Sequence, residues 1–519
     1  MTDQMVLDEV VSDRIVLDET VLDETVLDET GNGADGVEER DGERGYALAL
    51  LALLLLPLLA IAAIGVDLGV WYLQAQQNQR IADASSLAAV VWLPDEDAAR
   101  AVAYDAVARN GLTPGTDSTV DVTMLGQNRV KVRIATKSHL GFSQLFFDEF
   151  AITRSAIAEY NRPLALGSPV NTIGSPSLWL AISGRCSVRE NGDLRVAEWM
   201  AAYPGGFYPP NDCWGTPNPD VTGEYIYAIT IDQKPSSPVK LEVFDGTYDP
   251  NSGLGTDSEL VNPSAFDTRF EFFDAEGPPF DLDSHTKIAD IVVGDRDAAY
   301  TNSWQTIGTI ADPEPGTYYL RVTTQGGGNQ STGSNGFALR AYSGFAYSLC
   351  STLTTAFEYD ATCPQVSAVE DLSLYASLNG GSSEFYLAEI GGEHAGKKLE
   401  ISLFDVGEGA QLIEILDPDG DPVSFDWETD CSVTAATGGC SGSGTSLDVS
   451  GDGNQVYADT LSKSRYNDRI VIATVSLPGD YATRYAGRWW SIRYTYGSDI
   501  HDRTTWSVRM IGDPVRLSG

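Results

Sequence analysis

The chain has 519 residues, enough for about three domains of ordinary size, so core volume sets no limit on its fold. Its formal net charge of −41 would repel a polyanion over most of any surface it forms, which excludes nucleic acid as an expected partner. Four widely spaced histidines, His139, His285, His394 and His501, argue against a multi-histidine metal centre.

Residues 1–44 contain "VLDETVLDETVLDET" and carry fifteen acids against Arg14, Arg40 and Arg44. A five-residue period walks the Val-Leu pair round a helix and flips it between strand faces, so it builds no buried stripe. A disordered acidic cytoplasmic tail is expected, because little apolar area and strong self-repulsion leave chain entropy unopposed.

Residues 45–67 are the expected transmembrane helix. Tyr46 to Val66 are uncharged and as a helix would rise about 32 Å, enough to cross a bilayer core. A cleavable signal is the competing reading, with Pro57 breaking the helix and Ala60-Ile61-Ala62 as the small-x-small site. The apolar run continues past that site, and the long acidic segment before it is unlike a short basic leader. A retained anchor is therefore expected. Arg40 and Arg44 flank the amino side while the other flank has no basic residue until Arg80, which places the N-terminus in the cytoplasm and the bulk outside the cell. Asp67 is expected at the outer water interface, where a carboxylate costs little, followed by the interfacial aromatics Trp71 and Tyr72.

From 68 to 161 a small α+β unit is expected. Leu73, Gln77, Ile81, Ala84, Ala88 and Val91 recur at three- and four-residue steps as a continuing helical stripe, either a partner-helix surface or the face packed on its own hairpin. "DEDAARAVAYDAVARNG" reads as a second helix with acids in its first turn and a stop at Gly111. "TVDVTML" and "RVKVRIAT" form a hairpin through Gly126-Gln127-Asn128, and "FAITRSAIAEY" is a last strand after the short apolar segment "LGFSQLFF".

Here the residues resemble a known family. "VDLGVWY" followed by "QRIADASSLAA" is similar to the N-terminal region of TadG-like and TadE-like proteins of the Flp (tight-adherence) pilus assembly system, over about residues 43–160. The matching positions are Val66, Asp67, Leu68, Gly69, Trp71, Tyr72, Gln79, Ala82, Asp83, Ala84, Leu87 and Ala88. The resemblance implies a membrane partner, other Flp/Tad pilus assembly proteins as partners, and a non-catalytic role in assembly or adhesion. Pilin-type processing is not implied, because Leu50 stands where a glutamate would follow Gly45. The von Willebrand factor A metal motif of many relatives is not matched either: "DLSLY" at 371–375 and "DVSGD" at 448–452 lack its second serine.

A linker is expected over 162–178, then two tandem antiparallel β-sandwich domains over 179–345 and 346–519. "EYIYAITI", "VKLEVFD", "RFEFFDAEGPP", "TYYLRVTTQ" and "GFALRAY" are followed by "EFYLAEI", "KKLEISLFD", "LIEILDPDGDP", "RWWSIRYTY" and "TWSVRMI" in the same order. "PEPGTYYLRV" with "GSNGFALRA" resembles the closing strands of bacterial prepeptidase-C-terminal-like sandwiches. Six cysteines, Cys186, Cys213, Cys350, Cys363, Cys431 and Cys440, all follow the anchor and read as extracellular disulfides, with neighbour pairing the simplest connectivity.

Residues of this region suit two kinds of chemistry. Asp417, Asp419 and Asp421 in "DPDGDP", with Asp245 and Asp249 and with Asp295 and Asp297, offer the clustered hard oxygens that calcium takes, although Asp, Gly and Pro also dominate plain turns. His285, His394 and His501 sit in polar turn-like strings and read as solvated loop residues, His501 alone lying between carboxylates, Asp499 and Asp502. No enzyme is expected. The alternatives are a surface hydrolase with accessory sandwiches or a free binding protein released at Ala62. Intact-mass measurement of the membrane fraction should give the uncleaved chain, and a mature form starting at Ala63 would overturn the anchor.

Overall fold

A computed structural model describes residues 41–93, 95–115, 118–125, 128–138, 141, 150–175, 178–185, 187, 193–197, 218, 221–246, 267–277, 281–294, 300, 302–325, 333–344, 362–378, 380–406, 410–431, 439–450, 466, 469–485, 488–497, 500–512 and 515–517. The chain forms two compact units: 1–69 with 140–147, and 70–139 with 148–519.

Helix α1 runs Asp41–Val90 and passes Pro57 without a break. Asp41 to Arg44, assigned above to an unstructured tail, are its first turn; the rest of that tail lies outside the described residues. Among the described residues this is the one helix long and apolar enough to cross a membrane. Leu50, Leu51, Leu53, Leu54 and Leu55 are all exposed, so the helix is apolar on every side, as a lipid-facing segment requires.

In the second unit, α2 (Glu96–Arg109) is capped by Asp95, whose side chain accepts from the Ala98 N–H, and the chain leaves it through Gly111 at φ +84°. Strands β1 (Ser118–Met124), β2 (Arg129–Lys137) and β3 (Ala151–Tyr160) form an antiparallel meander. Val122, Val130, Val132, Ile134, Ala156 and Ala158 turn one face toward Ala82, Ala89 and Val90 of α1 and Ala99, Ala103 and Val107 of α2. Small residues on both helices let them lie close to the sheet.

The remaining strands are β4 (Ala165–Leu166), β5 (Thr172–Ile173), β6 (Leu178–Ser183), β7 (Glu224–Ile231), β8 (Val239–Asp245), β9 (Asp267–Phe273), β10 (Lys287–Val293), β11 (Trp304–Ile310), β12 (Gly316–Gln325), β13 (Ser334–Ser343), β14 (Gln365–Val369), β15 (Asp371–Leu378), β16 (Gly381–Ile390), β17 (Lys398–Phe404), β18 (Ala410–Leu416), β19 (Phe425–Thr429), β20 (Ser441–Gly444), β21 (Leu447–Asp448), β22 (Ile470–Ser476), β23 (Arg488–Tyr496), β24 (Ile500–Met510) and β25 (Val515–Leu517). Two sheets run through both halves, in the orders β10-β9-β12-β7-β14-β4-β16-β23-β18-β21 and β11-β8-β13-β6-β15-β24-β17-β22-β19-β20. The repeat read from sequence is visible as a palindrome: β9-β12-β7 answers β18-β23-β16, and β8-β13-β6 answers β17-β24-β15. One apolar cluster, from Leu164 to Met510, fills the space between the sheets along both halves.

Two features differ from expectation. The 162–178 segment contributes short strands: β4 pairs with β14 and β16, and β5 with β13. The chain end also leaves the sandwich, because β25 pairs with β3, Val515 opposite Tyr160 and Arg516 opposite Glu159. Its apolar signal is too short for periodicity to resolve. Around this contact Glu159 is buried, with Lys397 Nζ at 2.5 Å and Arg516 Nη2 at 3.3 Å, while Lys397 also donates to Asn161 Oδ1 at 3.0 Å.

Burial raises the Glu159 pKa, but Lys397 and Arg516 outweigh it and hold the carboxyl below its ordinary 4.5. A depressed folded pKa gives stability that is present above the unfolded value and lost as pH falls through the folded one. Glu159→Gln should therefore lower unfolding free energy by about 1–3 kcal/mol at neutral pH. Denaturant melts should show that deficit shrinking at pH values well below 4.5.

Candidate membrane-proximal interaction site

In the first unit, Asp67 is only 3% exposed. Protein, rather than solvent, covers this carboxylate. A Cβ placed on Gly141 would come within 2.3 Å of Asp67 Oδ1, so the carboxylate lies against glycine backbone that no larger residue could supply. The segment "LGFSQLFF" otherwise lies outside the described residues.

In the second unit, α1 meets the meander through amides as well as small apolar residues. Gln74 Nε2 donates to Thr136 Oγ1 and to the Lys137 carbonyl, both at 2.7 Å. Asn78 Nδ2, almost wholly buried, donates to Thr136 Oγ1 at 2.9 Å and the Ile152 carbonyl at 2.8 Å. Gln79 donates to Asp83 Oδ1 at 2.8 Å, one helical turn on, and to the Ser155 carbonyl at 3.4 Å.

The packed face is thus Ala75, Asn78, Ile81, Ala82, Ser85 and Ala89. The stripe expected from periodicity is rotated from it: Leu73, Gln77 and Ala84 are exposed, and of that set Ile81 alone is fully buried. Polar residues share the contact with apolar ones, which a count of apolar positions misses. In the run "QAQQNQR" the amides score as polar whether or not a carbonyl waits for them.

The family-motif residues divide accordingly. Trp71 packs edge-on against Phe150 with centroids 5.0 Å apart, Ala82 is fully buried, and Gln79, Asp83, Leu87 and Ala88 are half-buried against the domain. Val66, Leu68, Gly69, Tyr72 and Ala84 remain exposed, with Gln76 donating to the Tyr72 hydroxyl at 2.6 Å.

Elsewhere the sandwich uses its polar residues structurally. Cys431 and Cys440 form a disulfide, Cα atoms 5.6 Å apart, and Cys363 is also disulfide-bonded; Cys186, Cys213 and Cys350 lie outside the described residues. In "DPDGDP", Asp417 is engaged on both oxygens: Oδ1 accepts from the Asp419 and Asp421 N–H groups at 2.9 and 3.0 Å, and Oδ2 from the Tyr485 hydroxyl at 2.7 Å. Asp419 pairs with Arg488 at 2.8 Å. That is turn chemistry, and among the described residues no three His, Cys, Asp or Glu side chains are arranged to hold a metal. Asp245 is buried, while Asp249, Asp295 and Asp297 lie outside the described residues.

Two histidines also depart from expectation. His285 is 7% exposed, wedged under Gly277, with Nδ1 donating to the Asp274 carbonyl at 2.9 Å. His394 is 3% exposed, and burial, opposed by neighbouring Glu393, brings its pKa down to about 4, so it is neutral at physiological pH. Turn residues mark where the chain reverses; they do not say which side of the turn a ring takes. His139 lies outside the described residues, and His501 stands on β24 opposite Ser377.

The model of the family described as "Putative Flp pilus-assembly TadE/G-like" matches residues 45–103, from the start of the apolar run into α2, so the N-terminal region is TadE/G-like. No curated protein matches the chain. The tandem CBM22-1-CBM22-2 domain of Paenibacillus barcinonensis Xyn10C aligns at 9% identity over 78% of this chain and 93% of its own, with a TM-score of 0.12. A crystal structure of Cucumber Necrosis Virus aligns at 9% identity over 78% and 91%, with a TM-score of 0.11. Overlaps that small carry no argument.

Asn78→Ala would strand the Ile152 carbonyl and remove one of two amide donors to Thr136. Thermal or denaturant melts should show a loss of about 1–3 kcal/mol, whereas Gln77→Ala on the exposed face should stay within about 0.5 kcal/mol.

Proposed function

We propose that the protein is a membrane-anchored, non-catalytic component of Flp-type pilus assembly or adhesion that displays its β-sandwich outside the cell. The observation that carries this reading is the position of the family match. It covers the apolar helix and the amide-bearing face by which that helix holds the membrane-proximal meander. The helix supplies the anchor, and the arginines at 40 and 44 favour a cytoplasmic amino end. The Cys431–Cys440 disulfide supports an oxidising compartment for the C-terminal side. The other Flp/Tad assembly proteins are the partners, and the membrane-proximal domain is the part of the chain nearest to them.

Deleting the gene in its own host should reduce Flp-type pili and surface adherence, with recovery on complementation by the full chain. Protease added to intact cells, after outer-membrane permeabilisation where one is present, should remove the sandwich and leave an N-terminal tag protected. Wild-type piliation and adherence in the deletion strain, or digestion of the tag with the sandwich spared, would overturn the proposal.

A further inference from the structure

The outer face of the ten-stranded sheet, near the junction of the two halves, forms the floor of an open cleft of about 2120 Å³. Its walls include Trp92, Tyr160 and Arg162 of the membrane-proximal region and the turn through Asp274 and His285. The lining is heavily acidic, and among the described residues arginines at 162 and 321 are its only permanent cations. Arg321 is committed to Glu271 and Asp283, each at 2.9 Å, and Arg162 makes no ion pair among the described residues.

At the junction itself Asp232, Glu389 and Glu393 come together. No lysine or arginine pairs with any of the three among the described residues, and His394, 3.4 Å from Glu393, is neutral at physiological pH. Burial raises the carboxyl pKa of Glu389, with Asp232 and Glu393 adding to the effect and a Gln365 hydrogen bond opposing it; burial raises Asp232 as well. These are carboxylates short of positive charge.

Two further observations point to a ligand. Trp489 stands directly opposite Glu389 in the β16–β23 ladder, so its indole and the carboxylate share a face, and both line the cleft. His394 lines the same cleft, is 3% exposed, and among the described residues has no hydrogen-bond partner for Nδ1. A buried polar atom beside open volume is a place a ligand can satisfy. Aromatic rings beside carboxylates are the surroundings that bind ammonium and guanidinium groups, by cation–π attraction and charge-assisted hydrogen bonds.

From these residues we infer that the junction cleft is a docking site for a lysine- or arginine-rich segment of a partner protein, with Asp232, Glu389 and Glu393 taking the cationic head groups, Trp489 their flank, and His394 Nδ1 a hydrogen bond. The site stands independently of the proposed pilus role, since its chemistry rests on the sandwich alone.

The test uses the full chain in detergent and a short labelled peptide of alternating lysine and glycine, followed by fluorescence anisotropy at physiological salt. Glu389→Gln with Glu393→Gln should weaken binding about tenfold, the loss of one or two charged contacts. Asp426→Asn with Glu428→Gln changes net charge equally on exposed positions of β19 and should weaken it less than about twofold. Failure of the unmodified protein to bind the peptide, or an equal loss in both pairs, overturns the site and assigns any attraction to overall charge.

Discussion

Backbone pairing across the middle of the sandwich is the constraint on which the rest of this architecture depends. Half a sandwich of this size would leave β7 and β6 as edges, each a row of unpaired N–H and C=O groups. Those edges are covered internally: β14 pairs along Gln365–Val369 with β7, and β15 pairs with β6. Only two residues of β4 complete the bridge from β14 to β16, so the junction is narrow in one sheet and broader in the other. A shared apolar core then follows, because sheets that continue past the junction cannot close separate interiors.

The same accounting explains the membrane-proximal domain. Its meander has an edge at β3 that a three-residue strand covers only in part, and helix amides take over where that strand ends. Gln74, Asn78 and Gln79 are therefore part of the sheet's hydrogen bonding although they belong to a helix. The family match ends at Ala103, within α2, yet the helix positions it covers are held by strands that lie beyond it. A motif of this kind records one side of a contact whose other side is mostly backbone, and backbone can be supplied by many sequences.

Much of this was legible before the structure. The long apolar run, the capped second helix, the hairpin and the repeat of strand order were carried by local rules of hydropathy, capping and alternation. Three things were not. The helical stripe was displaced because Asn78 is polar in composition and buried in fact. His285 and His394 were placed in solvent because turn residues say nothing about the direction of a ring. The continuity of the sheets and the return of β25 depend on contacts hundreds of residues apart, which no window of sequence contains. At the acidic turn both oxygens of Asp417 are taken up, by two backbone N–H groups and by the Tyr485 hydroxyl.

The closure of the chain end on β3 has a mechanical consequence. The sandwich is tied to the membrane-proximal sheet at both of its ends: by the covalent chain leaving Tyr160, and by the ladder from Val515 to Leu517. A load that draws the sandwich away from its base is shared by two tethers in parallel. The second is a short ladder with the ion pairs of Glu159 beside it, so it gives way before any covalent limit is reached. Its rupture would leave the sandwich held by the short covalent link after Tyr160 alone, free to swing on that link where two attachments had fixed it.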